Sequence, residues 1–215
     1  MKPFNHHRGI LAKLDRSNID TDQIIAKQFL KSIARTGFGP HLFYDWRYKP
    51  DGSLDPNFSL NAPHFKNASI LVTGNNFGCG SSREHAVWAI QQYGFQAIIA
   101  PRMKKEDGSE IPAFADIFKN NCSKNALLTI ELENADVQRI FKAMDENTGL
   151  QAAVDLEKQN LVLQGREEIN FHFDIDASVK DRLLHGLDDI GTTLKYENEL
   201  RSFETKHDAQ LSRHG

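Results

Sequence analysis

Cysteine is scarce in this chain: Cys79 and Cys122 are the only two among 215 residues. Two thiols cannot build the disulfide framework of a small secreted fold, so the expected compartment is a reducing cytoplasm. Nor can they supply the ligands of an ordinary structural zinc site or of an iron–sulfur cluster. Neither sign of charge dominates: 26 Lys and Arg stand against 29 Asp and Glu, a formal net charge of −3. Without a basic excess there is no electrostatic footprint for nucleic acid, and without an acidic block no disordered acidic tail. No apolar run approaches the roughly 20 residues of a bilayer-spanning helix. The opening MKPFNHHRGI lacks the apolar centre expected of a secretory signal. Internal repeats and low-complexity tracts are missing as well. So are a G-x-S-x-G nucleophile elbow and an H-E-x-x-H zinc helix. Asp20 and Asp22 are two apart, but the glycine and distal glutamate of a calcium loop are lacking.

What is present suits one large α/β domain, since 40% of the residues are apolar. ILAKL reads as a strand and SNIDTD as a polar turn. QIIAKQFLKSI has helical spacing, with Thr21 or Asp22 as its cap. KPDGSLDPNFSLNAP is rich in turn formers and reads as a surface loop. SILVTG and QAIIAP are compact apolar strands flanking the helical REHAVWAIQQYG, which makes a βαβ unit with parallel strands and a right-handed crossover. RMKKEDGSEIP reads as an exposed excursion, AFADIFKNN as a short helix, ALLTIEL as a strand and ADVQRIFKAMDEN as an amphipathic helix. AAVDLEKQNLVLQG and EEINFHFDID alternate apolar and polar residues, as an antiparallel pair does. SVKDRLLHG is a helix ending on Gly186. The expected fold is therefore a mixed sheet with a central βαβ unit and a β-rich C-terminal part. Residues 201–215, rich in charge, are expected to fray, as are His6 and His7.

The segment GNNFGCGSSREH, residues 74–85, lies between the first βαβ strand and its helix. A glycine loop there lets backbone N–H groups approach an anion, and the helix start adds a partial positive charge. It is no dinucleotide fingerprint, because Arg83 stands where Gly or Ala is wanted, and it lacks the Gly-Lys-Ser/Thr of a phosphate loop. Ser81 and Glu84 have the spacing of a capping box. A cap needs one hydroxyl, however, and Ser82 is spare. Arg83 is a cation at a helix start, where the dipole disfavours it unless an anion is bound. Its planar fork suits a carboxylate.

These residues resemble a known family. GCGSSREH, N-I-D-T-D at residues 18–22, R-T-G-F-G at 35–39, F-A-D-I-F at 114–118 and G-L-D-D-I-G at 186–191 are similar, in that order, to the small subunits of bacterial 3-isopropylmalate dehydratase. These are stand-alone counterparts of the swivelling domain of aconitase. The likeness spans nearly the whole chain, with residues 1–200 as the swivel domain. It implies a hydro-lyase subunit that isomerises 2-isopropylmalate to 3-isopropylmalate through isopropylmaleate, in leucine biosynthesis. By the same resemblance Ser81 is the base that takes a proton from carbon, and Ser82 and Arg83 contact substrate. Asp22 belongs to the shell of the site. Arg35 grips a carboxylate, and its loop, with Thr36, sets side-chain specificity. Gly78, Cys79 and Gly80 shape the loop backbone, with Cys79 as a small filler of a tight turn. His85 is expected to order the segment by hydrogen bonding. The resemblance places a [4Fe–4S] cluster on a large-subunit partner and none on this chain.

A serine base has a physical difficulty. Bulk water, as a stand-in for a hydroxyl, titrates at about 15.7, and at ~1.36 kcal/mol per pKa unit its ionisation at pH 7 costs on the order of 12 kcal/mol. A helix N-terminus returns at most about 2 kcal/mol, and a charge-assisted hydrogen bond roughly 1.5–3 kcal/mol. The remainder requires a dry, positive pocket closed from outside this chain.

The chain departs from the family pattern at Ala26, where proline is usual, and in the charged RMKKEDGSEIP, a longer connection than usual. Two other readings stand beside the first. One is a related dehydratase acting on citraconate/methylmalate or homoaconitate. The other is a non-catalytic anion-binding or regulatory module.

Overall fold

The computed structural model of this chain describes residues 1–31, 34–81, 83–188 and Gly191. In chain order come β1 (His6–Leu14), α1 (Thr21–Ile24), α2 (Tyr44–Arg47), β2 (Ile70–Thr73), α3 (Glu84–Tyr93) and β3 (Ala97–Lys104). They are followed by β4 (Glu110–Ile111), α4 (Asp116–Lys124), β5 (Leu128–Glu133), α5 (Asn134–Glu146), β6 (Gln151–Asp155), β7 (Asn160–Gln164), β8 (Glu168–His172) and α6 (Ala177–His185). Short 3-10 turns lie on either side of α2, between α1 and β2. Among the described residues the strands form one mixed sheet, with β1, β2, β3 and β5 parallel and β6, β7 and β8 antiparallel to their neighbours.

The apolar runs of β2 and β3 are explained by burial on both sheet faces. Leu71, Ile98 and Ala100 face a core built with α1, α3 and α4. Ile70, Val72, Ala97 and Ile99 face a second core built with α5, β6, β7 and α6. Successive strand side chains point to opposite faces, so a continuous apolar run fills two cores at once. Burying each such side chain contributes roughly 1.5–3 kcal/mol. The parallel β2–α3–β3 unit has Ile70 opposite Ala97 and Val72 opposite Ile99, as the sequence predicts. Among the described residues no helix is long and apolar enough to cross a membrane.

Several expectations are corrected. QIIAKQFLKSI is not one helix: α1 is a single turn, Ile25 pairs with Leu42, and a 3-10 segment occupies Lys27–Lys31. Leaving the helix lets the adjacent Ile24 and Ile25 both become fully buried. The cap is Asp20, whose carboxylate accepts from Gln23 N at 2.8 Å while the Gln23 side chain accepts from Asp20 N at 2.9 Å. The loop after α2 is not all surface, because Phe58 and Leu60 enter the first core. His6 and His7 lie within β1 opposite Asp155 and Val154, and His7 Nε2 bonds Ser69 Oγ at 2.8 Å. AAVDLEKQNLVLQ folds into two strands, so the C-terminal pair is a three-stranded meander. The charged excursion extends β3 and returns as β4, with Met103 opposite Ile111. The tail at 201–215 and part of G-L-D-D-I-G lie outside the described residues.

Candidate active site

The glycine-rich segment leaves the carboxyl end of β2 and is stitched to the chain that leaves β1. Asn18 N donates to Asn75 O at 2.9 Å, Gly78 N to Ile19 O at 2.8 Å, and Thr21 N to Cys79 O at 3.0 Å. The Thr21 hydroxyl donates to Ser81 O at 2.6 Å. On the other side Phe77 N donates to Ala113 O at 2.9 Å, and Ala115 N to Phe77 O at 3.0 Å. N-I-D-T-D, the glycine segment and F-A-D-I-F thus converge at the carboxyl ends of parallel strands, where open α/β sheets place their sites.

The turn requires two of its glycines. Gly78 has φ +75° and Gly80 φ +88°, a region costly for residues with a Cβ. A Cβ on Gly78 would also lie 2.6 Å from Phe118 Cβ. This close approach lets the first turn of α4 brace the segment.

Ser81 is exposed at the open edge of the turn, with its carbonyl fixed by Thr21. Ser82 lies outside the described residues. Arg83 occupies the N-cap position of α3 with extended backbone (φ −141°, ψ 110°) and makes no side-chain cap. Its Nη2 lies 2.8 Å from Asp22 Oδ1, and Asp22 Oδ2 lies 3.3 Å from Lys27 Nζ. Asp22, released from capping by Asp20, therefore anchors the arginine.

The Ser81–Glu84 spacing does not make a capping box, because α3 begins too late for Ser81 to be its N-cap. Glu84 Oε1 instead accepts from Asn125 Nδ2 at 2.9 Å, and Asn125 Oδ1 accepts from Trp88 Nε1 at 3.0 Å. Gln91 Nε2 donates to the carbonyl of the same asparagine. Among the described residues His85 packs rather than hydrogen-bonding as expected: its ring meets Phe38 edge-on at 5.2 Å and tilts against Trp88 at 4.8 Å.

Arg35 and Thr36 are exposed on the loop at 34–38. The Arg35 guanidinium lies 5.7 Å from the centre of the Trp88 ring, one helical turn beyond Glu84. The structure therefore brings Asp22 and Arg83 into contact at one end of α3 and rests Arg35 on the same helix. Asn125 and Gln92, which hold this arrangement, were not singled out by sequence; Thr21 was, but as a helix cap rather than as the donor that fixes the Ser81 carbonyl.

Burial, and secondarily the Asp20 charge, hold the Cys79 thiol above its ordinary pKa, so it is protonated at neutral pH. Burial pushes the Cys122 thiol up well beyond the usual range. These donors do not fit an iron–sulfur cluster, which takes three or four thiolates. Among the described residues no group of three or more His, Cys, Asp or Glu could hold a metal ion.

The fold is a mixed α/β domain of the aconitase type, and residues 1–135 match the aconitase C-terminal domain family. The chain is 54% identical to a 3-isopropylmalate dehydratase small subunit of Desulforapulum autotrophicum, over 96% of each chain. It is 51% identical to one of Leptospira interrogans, over 96% of this chain and 95% of that one. A crystal structure of 3-isopropylmalate dehydratase (leuD) from Methanocaldococcus jannaschii is similar with a TM-score of 0.61 and 25% identity, covering 93% of this chain and 99% of that one. The chain belongs to the family of 3-isopropylmalate dehydratase small subunits.

Proposed function

We propose that this chain is one half of a hydro-lyase active site, acting with a large subunit to isomerise 2-isopropylmalate to 3-isopropylmalate. The observation that carries the reading is the stitched turn that presents Ser81 beside an Arg83 held by Asp22 at 2.8 Å. In this account Arg83 turns its remaining N–H groups to one substrate carboxylate and Arg35 takes the other. Two cations then match a doubly negative substrate. Ser81 Oγ removes the proton from carbon while hydroxide leaves the neighbouring carbon, which gives isopropylmaleate. Return of water with the opposite regiochemistry completes the isomerisation.

Ser81 is exposed, so this chain alone cannot provide the dry, positive surroundings that the order of 12 kcal/mol of ionisation demands. The large subunit closes the site in this reading. A departing hydroxide needs a Lewis acid, and by the family resemblance that is a [4Fe–4S] cluster on the large subunit. The free thiols of Cys79 and Cys122 fit a reducing cytoplasm as the working compartment.

The test is anaerobic mixing with a cluster-loaded large subunit, followed by absorbance of the conjugated ene-diacid, which appears from 2-isopropylmalate and disappears when citraconate or homoaconitate is hydrated. 2-Isopropylmalate, citraconate and homoaconitate are supplied in turn. Turnover that needs both proteins and favours 2-isopropylmalate supports the proposal. A preference for citraconate or homoaconitate reassigns the substrate. No turnover of any diacid, with a competent large subunit bound, removes the enzymatic reading.

A further inference from the structure

The loop that carries Arg35 and Thr36 is exposed, yet it is tied down at both ends by one side chain. Gln92 Nε2 donates to Arg35 O at 2.7 Å, and Gln92 Oε1 accepts from Phe38 N at 2.8 Å. The carboxamide thus offers the loop a donor and an acceptor, as a neighbouring strand would. Gly39 then packs on the backbone of the same residue: a Cβ there would lie 2.6 Å from Gln92 O. The Arg35 side chain rests over Trp88, whose indole N–H is fixed by Asn125 at 3.0 Å. One helix therefore has Arg83 at its N-cap and, further along, holds the loop of Arg35.

We propose that Gln92 is a positioning residue that sets where Arg35 and Thr36 face the substrate, and thereby which hydroxy-diacid side chain is accepted. The inference rests on the dehydratase reading. Gln92 reaches the substrate only through the loop. Losing it leaves the proton transfer at Ser81 intact but lets the loop wander, so binding and selectivity suffer rather than the chemical step. Because Gln92 is exposed, its replacement does not open the core.

The experiment compares Gln92→Ala and Gln92→Met in the reconstituted complex. Methionine keeps the volume and removes both hydrogen bonds. Both variants are expected to raise KM for 2-isopropylmalate roughly fivefold to tenfold, with kcat held within about twofold. The preference for 2-isopropylmalate over a methyl-bearing diacid should narrow. Amide exchange at Phe38 in the chain alone should quicken about tenfold. Unchanged KM and selectivity in both variants overturn the proposal, as does a fall in kcat equal to that in kcat/KM. The exchange arm needs no turnover. If the wild-type complex is inactive, the dehydratase reading has failed, and Phe38 exchange still decides whether Gln92 pins the loop.

Discussion

Asp22 Oδ1 lies 2.8 Å from Arg83 Nη2, which joins the first turn of α1 to the N-cap of α3. The carboxylate takes this role because Asp20 caps α1 in its place. The pair is partly exposed, so it adds little to stability, within about 1 kcal/mol. Its consequence is the direction of a guanidinium. Asp22→Asn should leave the denaturation midpoint nearly unchanged. It should lower kcat/KM of the reconstituted complex by roughly tenfold to a hundredfold, as a misplaced substrate-holding group does. Steady-state kinetics beside a urea melt separates the two effects.

Gly78→Ala meets two obstacles, a backbone at φ +75° and the Phe118 side chain. Backbone strain and overpacking each cost about 1–3 kcal/mol. The variant should lose about 2–6 kcal/mol in a urea titration. Gly52→Ala has a similar φ of +81° but open space around it, so it should lose only the strain component.

Cys79 stands inside the turn, but its thiol is held above the ordinary pKa by burial and then by Asp20. A raised thiol pKa leaves little thiolate at neutral pH, and only the thiolate alkylates. The rate of iodoacetamide modification should therefore stay low near neutrality and still be climbing where an ordinary thiol has levelled off. Asp20→Asn should shift that curve to lower pH. Cys79→Ser should keep most of the activity of the complex.

Asn125 joins the end of α4 to Glu84 and Trp88 of α3 through its side chain. Asn125→Ala leaves the indole N–H and the carboxylate without these partners. It should destabilise the chain by about 1–3 kcal/mol, read by denaturant unfolding, and Asn125→Asp, which keeps the acceptor for Trp88 but sets a second carboxylate against Glu84, should recover none of the loss at neutral pH.

The βαβ unit was legible because β2 and β3 are apolar on both faces, a pattern that needs no tertiary knowledge to read. The break after α1 was not, because the pairing of Ile25 with Leu42 is made by chain that arrives later. N-I-D-T-D offers three oxygen-bearing side chains in succession. Which one caps depends on where the helix begins, and the structure settles this on Asp20. The Ser81–Glu84 spacing was similarly ambiguous, since Asn125, far along the chain, draws Glu84 away. Ser81, Arg83, Asp22 and Arg35 are proposed as site residues through motif resemblance. Gln92 was not legible in this way, because an exposed glutamine on an amphipathic helix carries no local mark of the loop it holds.

The central claim is that Ser81, at the open edge of this turn, becomes a base only when a second protein closes over it. The most direct measurement is single-turnover proton abstraction from 2-isopropylmalate by the reconstituted complex, comparing the wild-type chain with Ser81→Ala at equal occupancy of the large subunit. Loss of a general base should slow the step by about 10²–10⁴-fold, with substrate still bound and no turnover from either chain alone. Abstraction at the wild-type rate by Ser81→Ala, in a complex that binds the diacid normally, would contradict the account.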